Sequence, residues 1–259
     1  MTNIGYRTLQ LPRQWLRQLR KRRRTARELY GAPCLASAYP FWLIHDWLRW
    51  GAKGYYIARS RRIPGWVRGL EAIALANYSS TLPANAVIVE IGSFLGGSAV
   101  LLAGARKLQR SGQVHCIDPF DASGDAFSVP IYKRIGARSG GSLRQHFDAN
   151  IRRAGLGDWV VAHSGRDSVI AVTWGTPIDM LFLDGDQSRA GAQMAYASWA
   201  PFLKKKGIIA LHNSSSGAYD ADHDGHMRLV AETIRPPQYT EITCIGTTTF
   251  ARKIGDAEE

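Results

Sequence analysis

Short apolar runs alternate with helically spaced apolar residues from about residue 63 onward. Val87-Ile-Val-Glu90-Ile reads as a strand, Gly92-Ser93-Phe-Leu-Gly96-Gly97 as a glycine-broken turn, and Ala99-Val-Leu-Leu-Ala103 as the start of a helix. Runs at 114–117, 159–163, 178–183 and 208–211 read as further strands, and 239–245 and 247–253 as a hairpin across Gly246. Helical spacing marks 67–79, 142–154, 191–203 and 227–234, and a loop rich in Gly, Ser and Asp spans 121–130. Lys204-Lys205-Lys206 closes the helix at 191–203, its cations set against the negative end of the dipole. This alternation predicts an α/β fold with a doubly wound, mostly parallel seven-stranded sheet.

The first 62 residues follow another pattern. The chain has 33 basic and 21 acidic residues; 14 basic and two acidic ones (Glu28, Asp46) fall in 1–62, which leaves 19 of each sign beyond. Three units follow: a basic, aromatic-rich helical extension at 1–62, an α/β domain at 63–254, and an acidic tail at 255–259. In 7–30, Leu11, Trp15, Leu16 and Leu19 form an apolar stripe among Arg and Lys. That segment is either a solvated basic arm or an amphipathic helix lying on an anionic membrane. A nucleic-acid arm ranks lower, because no nucleic-acid motif accompanies it. The aromatic run at 41–50 reads as a helix whose rings pack as core or as a lid, with an interfacial belt or a homodimer interface as alternatives.

Cys34, Cys116 and Cys244 are widely spaced and form no CxxC pair, which argues against a structural zinc or a disulfide framework. Residues 1–10 lack a secretory pattern, and no apolar run approaches the ~20 residues of a spanning helix. A cytoplasmic location, with the basic arm peripheral to a membrane, is the expectation.

Ligands of such sheets sit at the carboxyl ends of the strands. Here those ends carry Gly92-Ser93, Asp118, Ser164, Asp184 and His212-Asn213. An acid at the end of the second strand is placed to accept hydrogen bonds from ribose hydroxyls. A dinucleotide enzyme stays open on that evidence, although the turn is not G-x-G-x-x-G.

In order, the pieces IPGW at 63–66, VEIGSFLGGS at 89–98, IDPF at 117–120, HSGRDS at 163–168, PIDMLFLDGDQS at 177–188, WAPFLKKKGIIALHN at 199–213 and GTTTFARK at 246–253 resemble class I S-adenosylmethionine-dependent methyltransferases. The resemblance is to the small-molecule O-methyltransferases of catechol and macrolide-sugar type. It implies a Rossmann-like methyltransferase fold and O-methylation of a hydroxyl on a sugar or other small metabolite. It implies that Glu90, Gly92, Ser93, Gly96 and Ser98 shape the cofactor turn, that Asp118 holds the ribose, that Ser164 flanks the adenine, and that Asp184 also faces the cofactor.

Asp184, His212 and Asn213 match a Mg²⁺ site of metal-dependent members, where the ion would acidify the acceptor hydroxyl. Two positions depart from that pattern. Gln187 stands where relatives carry a histidine base, and Asn213 where they carry aspartate. The alternative is that Asp184 and His212 hold only cofactor or backbone groups. Candidate catalytic residues are therefore Asp184 and His212, with His223 or His226 replacing the missing base. The acceptor would lie among 38–62, 121–141 and 214–226.

Overall fold

The structure is a computed structural model and describes residues 39–254 apart from 139, 218 and 221. The basic stretch at 7–30 and the tail at 255–259 lie outside the described residues.

Seven strands make one sheet: β1 (Val87–Ile91), β2 (Gln113–Asp118), β3 (Val160–Ser164), β4 (Ile178–Leu183), β5 (Leu203–Leu211), β6 (Tyr239–Ile245) and β7 (Thr248–Lys253). Their order is β3-β2-β1-β4-β5-β7-β6. All neighbours up to β5 pair in parallel, and β7 runs antiparallel between β5 and β6. The expected doubly wound, mostly parallel, Rossmann-like sheet is what the chain forms. Strand order reverses between β1 and β4, which opens a crevice at their carboxyl ends.

Helices α1 (Tyr39–Trp50), α2 (Ala52–Ser60), α3 (Gly69–Thr81), α4 (Gly97–Leu108), α5 (Val129–Arg138), α6 (Leu143–Arg153), α7 (Asp167–Val172), α8 (Arg189–Trp199) and α9 (Gly225–Glu232) connect and flank the strands. Period-two alternation divides the sheet's side chains between two cores. Ile88, Met180, Phe182 and Ile208 pack with α2, α3, α4 and α6. Val89, Leu181, Leu183 and Ile209 pack with α8 and α9.

Three expectations change. β5 begins at Leu203 and takes in all three lysines, because a short 3₁₀ turn containing Pro201 ends the helix after Trp199. Lys204 Nζ donates to both carboxylate oxygens of Asp179 at 2.9 Å, so it ties β5 to β4 instead of capping a helix. The loop at 121–130 gives way to α5 from Val129. The third change is α1, which packs with its polar side inward. Asp46 is fully buried and accepts from Arg61 Nε at 2.7 Å, whereas Phe41, Ile44, Trp47 and Leu48 are 58–73% exposed. Gly54 of α2 makes this possible, since a Cβ there would lie 2.0 Å from the Asp46 carbonyl oxygen. Of the α1 rings, Trp50 packs against the core as expected, while Phe41 and Trp47 are neither core nor lid.

Arg106 of α4 is fully buried and donates to the Ser79, Leu82, Pro83 and Ser111 carbonyls, which satisfies the end of α3. Removing a charged donor from buried acceptors costs on the order of 1.5–3 kcal/mol per strong bond. Arg106→Met should therefore lower unfolding stability by roughly 2–4 kcal/mol in a urea titration, and loss below about 1 kcal/mol would contradict this role.

Candidate active site

The site begins as a main-chain junction. Gly92 N–H donates to the Ile117 carbonyl at 2.9 Å, Asp184 N–H to Ile91 at 2.8 Å, and His212 N–H to Leu183 at 3.1 Å. Those bonds carry the parallel ladder to the edge of the sheet. A Cβ on Gly92 would sit 2.4 Å from the Asp184 carbonyl oxygen, and Gly92 has a φ of +85°. Only glycine lets the ends of β1 and β4 touch there.

Asp118 organises the next turns. Its carboxylate accepts from Phe94 N–H at 2.8 Å and Phe120 N–H at 2.6 Å. Both phenylalanines have positive φ, 47° and 53°, and Asn213 at the end of β5 has 49°. Strained backbone is thus gathered at the strand ends, where surrounding contacts must hold it.

Two clefts open over these ends. One, of about 290 Å³, is lined by Asp118, Arg166, Asp167, Asp186 and Met194 among others. The other, of about 50 Å³, is lined by Trp66, Arg68, Ser93, Ser98, His212 and His223 among others. Gly92, Phe94, Tyr132 and Asp184 line both. The rings of Trp66, Phe94 and Tyr132 cluster with centroids 4.6–6.0 Å apart at this junction. Burial pushes the Tyr132 hydroxyl well above the usual phenol range, and the nearby Asp184 carboxylate adds to it.

Beneath the smaller cleft lies a line of buried charge. His212 Nδ1 stands 2.7 Å from Asp184 Oδ1, and its Nε2 stands 3.8 Å from Glu71 Oε1. Burial opposes a charge on His212, but the two carboxylates outweigh it and raise its pKa to about 10. Burial acts upward on Glu71 as well; His212, Arg68 N–H and Thr247 overcome it and hold Glu71 down to about 2. Burial pushes the Asp184 carboxyl upward against the pull of His212. Glu71 also accepts from Thr247 N–H at 3.0 Å, Thr247 Oγ1 at 2.8 Å and Thr248 Oγ1 at 3.2 Å, joining α3 to the β6–β7 turn.

A chain of amides leads from Asp184 to His223. Gln187 Nε2 donates to Asp184 Oδ1 at 3.1 Å, and Asn213 Nδ2 donates to Gln187 Oε1 at 3.0 Å. The same Nδ2 lies 3.1 Å from His223 Nε2, and His223 Nδ1 lies 3.1 Å from Asp125 Oδ1. A carboxylate only accepts, so Asp184 fixes the orientation of Gln187, and Gln187 fixes Asn213. The Asn213 N–H then meets a bare Nε2, and the His223 proton sits on Nδ1 against Asp125. Burial raises Asp125, but the His223 bond and the Ser128 amide more than offset this and leave it lowered.

The sequence-derived residues separate accordingly. Gly92, Ser93, Ser98, Asp118, Asp184, His212, Asn213 and His223 line one or both clefts. Glu90 is fully buried behind the turn, where burial raises its pKa to about 7. Gly96 caps α4 from behind, with φ 86°. Ser164 does not line either cleft and accepts from Arg144 at 2.6 Å. His226 Nδ1 donates to the His212 carbonyl at 2.8 Å, and burial lowers its pKa to about 4, so it supports the end of β5 as a neutral group. None of 39–62 lines either cleft, so the expected acceptor wall there is replaced by 64–68. Glu71, Asp125, Tyr132 and Trp66 were missed. Trp66 alone had a local signal, the IPGW turn.

The donor set does not fit Mg²⁺. Asp184 Oδ1 already takes two hydrogen bonds, His212 is favoured as a cation, and Asn213 offers an amide. Hard octahedral ions want carboxylates and water instead. Among the described residues no group of three His, Cys, Asp or Glu is placed to hold a metal. A nucleoside-bearing sulfonium fits better: Ser93 and Ser98 line the smaller cleft beside the turn, and Asp118 faces the larger one.

A sheet of this order with ligand clefts at β1, β2 and β4 defines the class I methyltransferase fold. Residues 89–214 match the family model of a methyltransferase domain. Among solved structures, the O-methyltransferase TomG from Streptomyces achromogenes, involved in tomaymycin synthesis and in complex with SAM, is 17% identical with a TM-score of 0.55, over 84% of this chain and 99% of TomG. An O-methyltransferase from Bacillus cereus in complex with SAH is 16% identical with a TM-score of 0.55, over 83% of this chain and 99% of its own. The chain thus carries a methyltransferase domain at residues 89–214, as its ordered sequence pieces implied.

The charge line makes stability depend on pH. The folded pKa of His212 lies above its ordinary 6.5, so its contribution is complete below pH 6.5 and is lost as pH rises through about 10. Glu71 acts oppositely: its contribution is complete above 4.5 and is lost as pH falls toward about 2. The melting-temperature gap between wild type and His212→Asn should therefore shrink steadily from pH 7 to pH 10. A constant gap would mean that His212 carries no charge in the fold.

Proposed function

We propose that the protein transfers the methyl group of S-adenosylmethionine to a hydroxyl oxygen of a small molecule. The observation that carries this reading is the pair of clefts meeting at Asp184, one offering Asp118 and the other His223. In this reading Asp118 binds the ribose diol, and Gly92 and Ser93 hold the amino-acid end. The bound sulfonium supplies an activated methyl, so the protein's task is alignment and removal of one proton. The acceptor hydroxyl displaces the Asn213 amide from the single lone pair of His223 Nε2, which then takes the hydroxyl proton, and Asp125 stabilises the imidazolium that results. Asn213 and Gln187 keep His223 in the tautomer that can accept. They stand where metal-dependent relatives place aspartate and histidine.

The aromatic cluster of Trp66, Phe94 and Tyr132 where the two clefts meet supports a small acceptor such as a sugar or another natural product. The relation to TomG, which works in tomaymycin synthesis, supports the same class. The buried His212 cation occupies the place a metal would take, so the reaction runs without Mg²⁺.

Isothermal titration should give S-adenosylmethionine binding that weakens at least tenfold in Asp118→Ala. Folded protein that binds none would overturn the reading. With a turning-over acceptor, His223→Gln should lower kcat by about 10²-fold or more while cofactor affinity stays within about twofold. Chelation with EDTA should leave the rate unchanged, and restoration of a lost rate by added Mg²⁺ would contradict the metal-free assignment.

A further inference from the structure

Helix α1 leaves its apolar face outward. Phe41, Ile44 and Leu48 recur at i, i+3 and i+7, and Trp47 lies beside them; all four are more than half exposed. At about 100° per residue they cover roughly a third of the helix circumference. The opposite side carries Asp46, fully buried against Arg61. Arg61 also lies 4.5 Å above the Trp42 ring, which fixes that ring on the flank of the helix. The outward stripe is therefore a stable feature of the α1–α2 hairpin and not a loose end.

Charge indicates what the stripe meets. The entire basic excess of the chain lies in residues 1–62, where 14 basic residues face two acids, while the remainder is balanced. Arg49 stands exposed on α1 itself, whereas Lys53 and Arg61 are tied to Asn77 and Asp46, so most of the segment's positive charge comes from the residues that precede the stripe in sequence. Large apolar groups that enter the headgroup boundary, with basic residues on the anionic surface, are the requirements of interfacial binding. A second copy fits less well. Four side chains supply far less than the roughly 800 Å² per partner of a stable interface, and two such faces would bring like charges together. Among the described residues no helix is long and apolar enough to cross a membrane.

We propose that α1 docks the protein on an anionic lipid surface through Phe41, Ile44, Trp47 and Leu48. The domain then works beside the bilayer, with its clefts carried on a different part of the molecule from the docking helix.

The test uses full-length protein and vesicles of phosphatidylcholine with 30% phosphatidylglycerol. Co-sedimentation should show binding that falls at least tenfold in the triple variant Phe41→Ser, Ile44→Ser, Trp47→Ser. Binding should also fall at least tenfold on pure phosphatidylcholine vesicles. Unchanged circular dichroism and S-adenosylmethionine affinity would show that the variant is folded. Wild type that stays in the supernatant overturns the proposal. Equal binding by wild type and variant overturns it too, because the basic arm alone then suffices. So does light scattering that finds a wild-type dimer and a monomeric variant, since the face then belongs to a second copy.

Discussion

A histidine cation buried between two carboxylates sets the conditions for the rest of the site. Glu71, His212 and Asp184 come from α3, the end of β5 and the end of β4, and Glu71 adds the β6–β7 turn through Thr247 and Thr248. No one of the three is tolerable in the interior alone, since an unpaired buried charge costs several kcal/mol. Together they pin four elements at one point. The same cation commits Asp184 Oδ1 as an acceptor, and that commitment propagates through Gln187 and Asn213 to the tautomer of His223.

The main chain supplies the second constraint. The β1 and β4 ends meet at Gly92 and Asp184 with no room for a side chain, and Asp118 locks two positive-φ phenylalanines beside them. Functional groups therefore stand on strand ends and short locked turns. Such placement holds reacting groups more closely than free loops do. The wider cleft and the narrow one share Asp184, Gly92, Phe94 and Tyr132, so occupants of the two are brought edge to edge.

What the sequence made legible is what is local. The strand–turn–helix at 87–103 and the acids and amides ending β2, β4 and β5 declare themselves within a few residues. Glu71 does not, because its partners lie 176 and 177 residues away and it reads as an ordinary first-turn acid of a helix. Asp125 is equally hidden, sitting in a polar loop 98 residues from His223. The lysines at 204–206 misled because their apolar and helical context comes first, whereas Pro201 and the partner Asp179 decide the matter. In α1 the helical period is legible but not which rings face inward: a buried Asp46–Arg61 pair and the close approach of Gly54 leave Phe41 and Trp47 outward while Trp50 packs on the core.

The charge state of His212 is thus the hinge between fold and chemistry: it orders Asp184, and through it the amides. Imidazole ¹⁵N spectroscopy of labelled protein at pH 8 reads that state directly. Both His212 nitrogens should carry protons, with shifts unchanged on adding EDTA or Mg²⁺. A neutral His212 at pH 8, or shifts that move on adding Mg²⁺, would contradict the account.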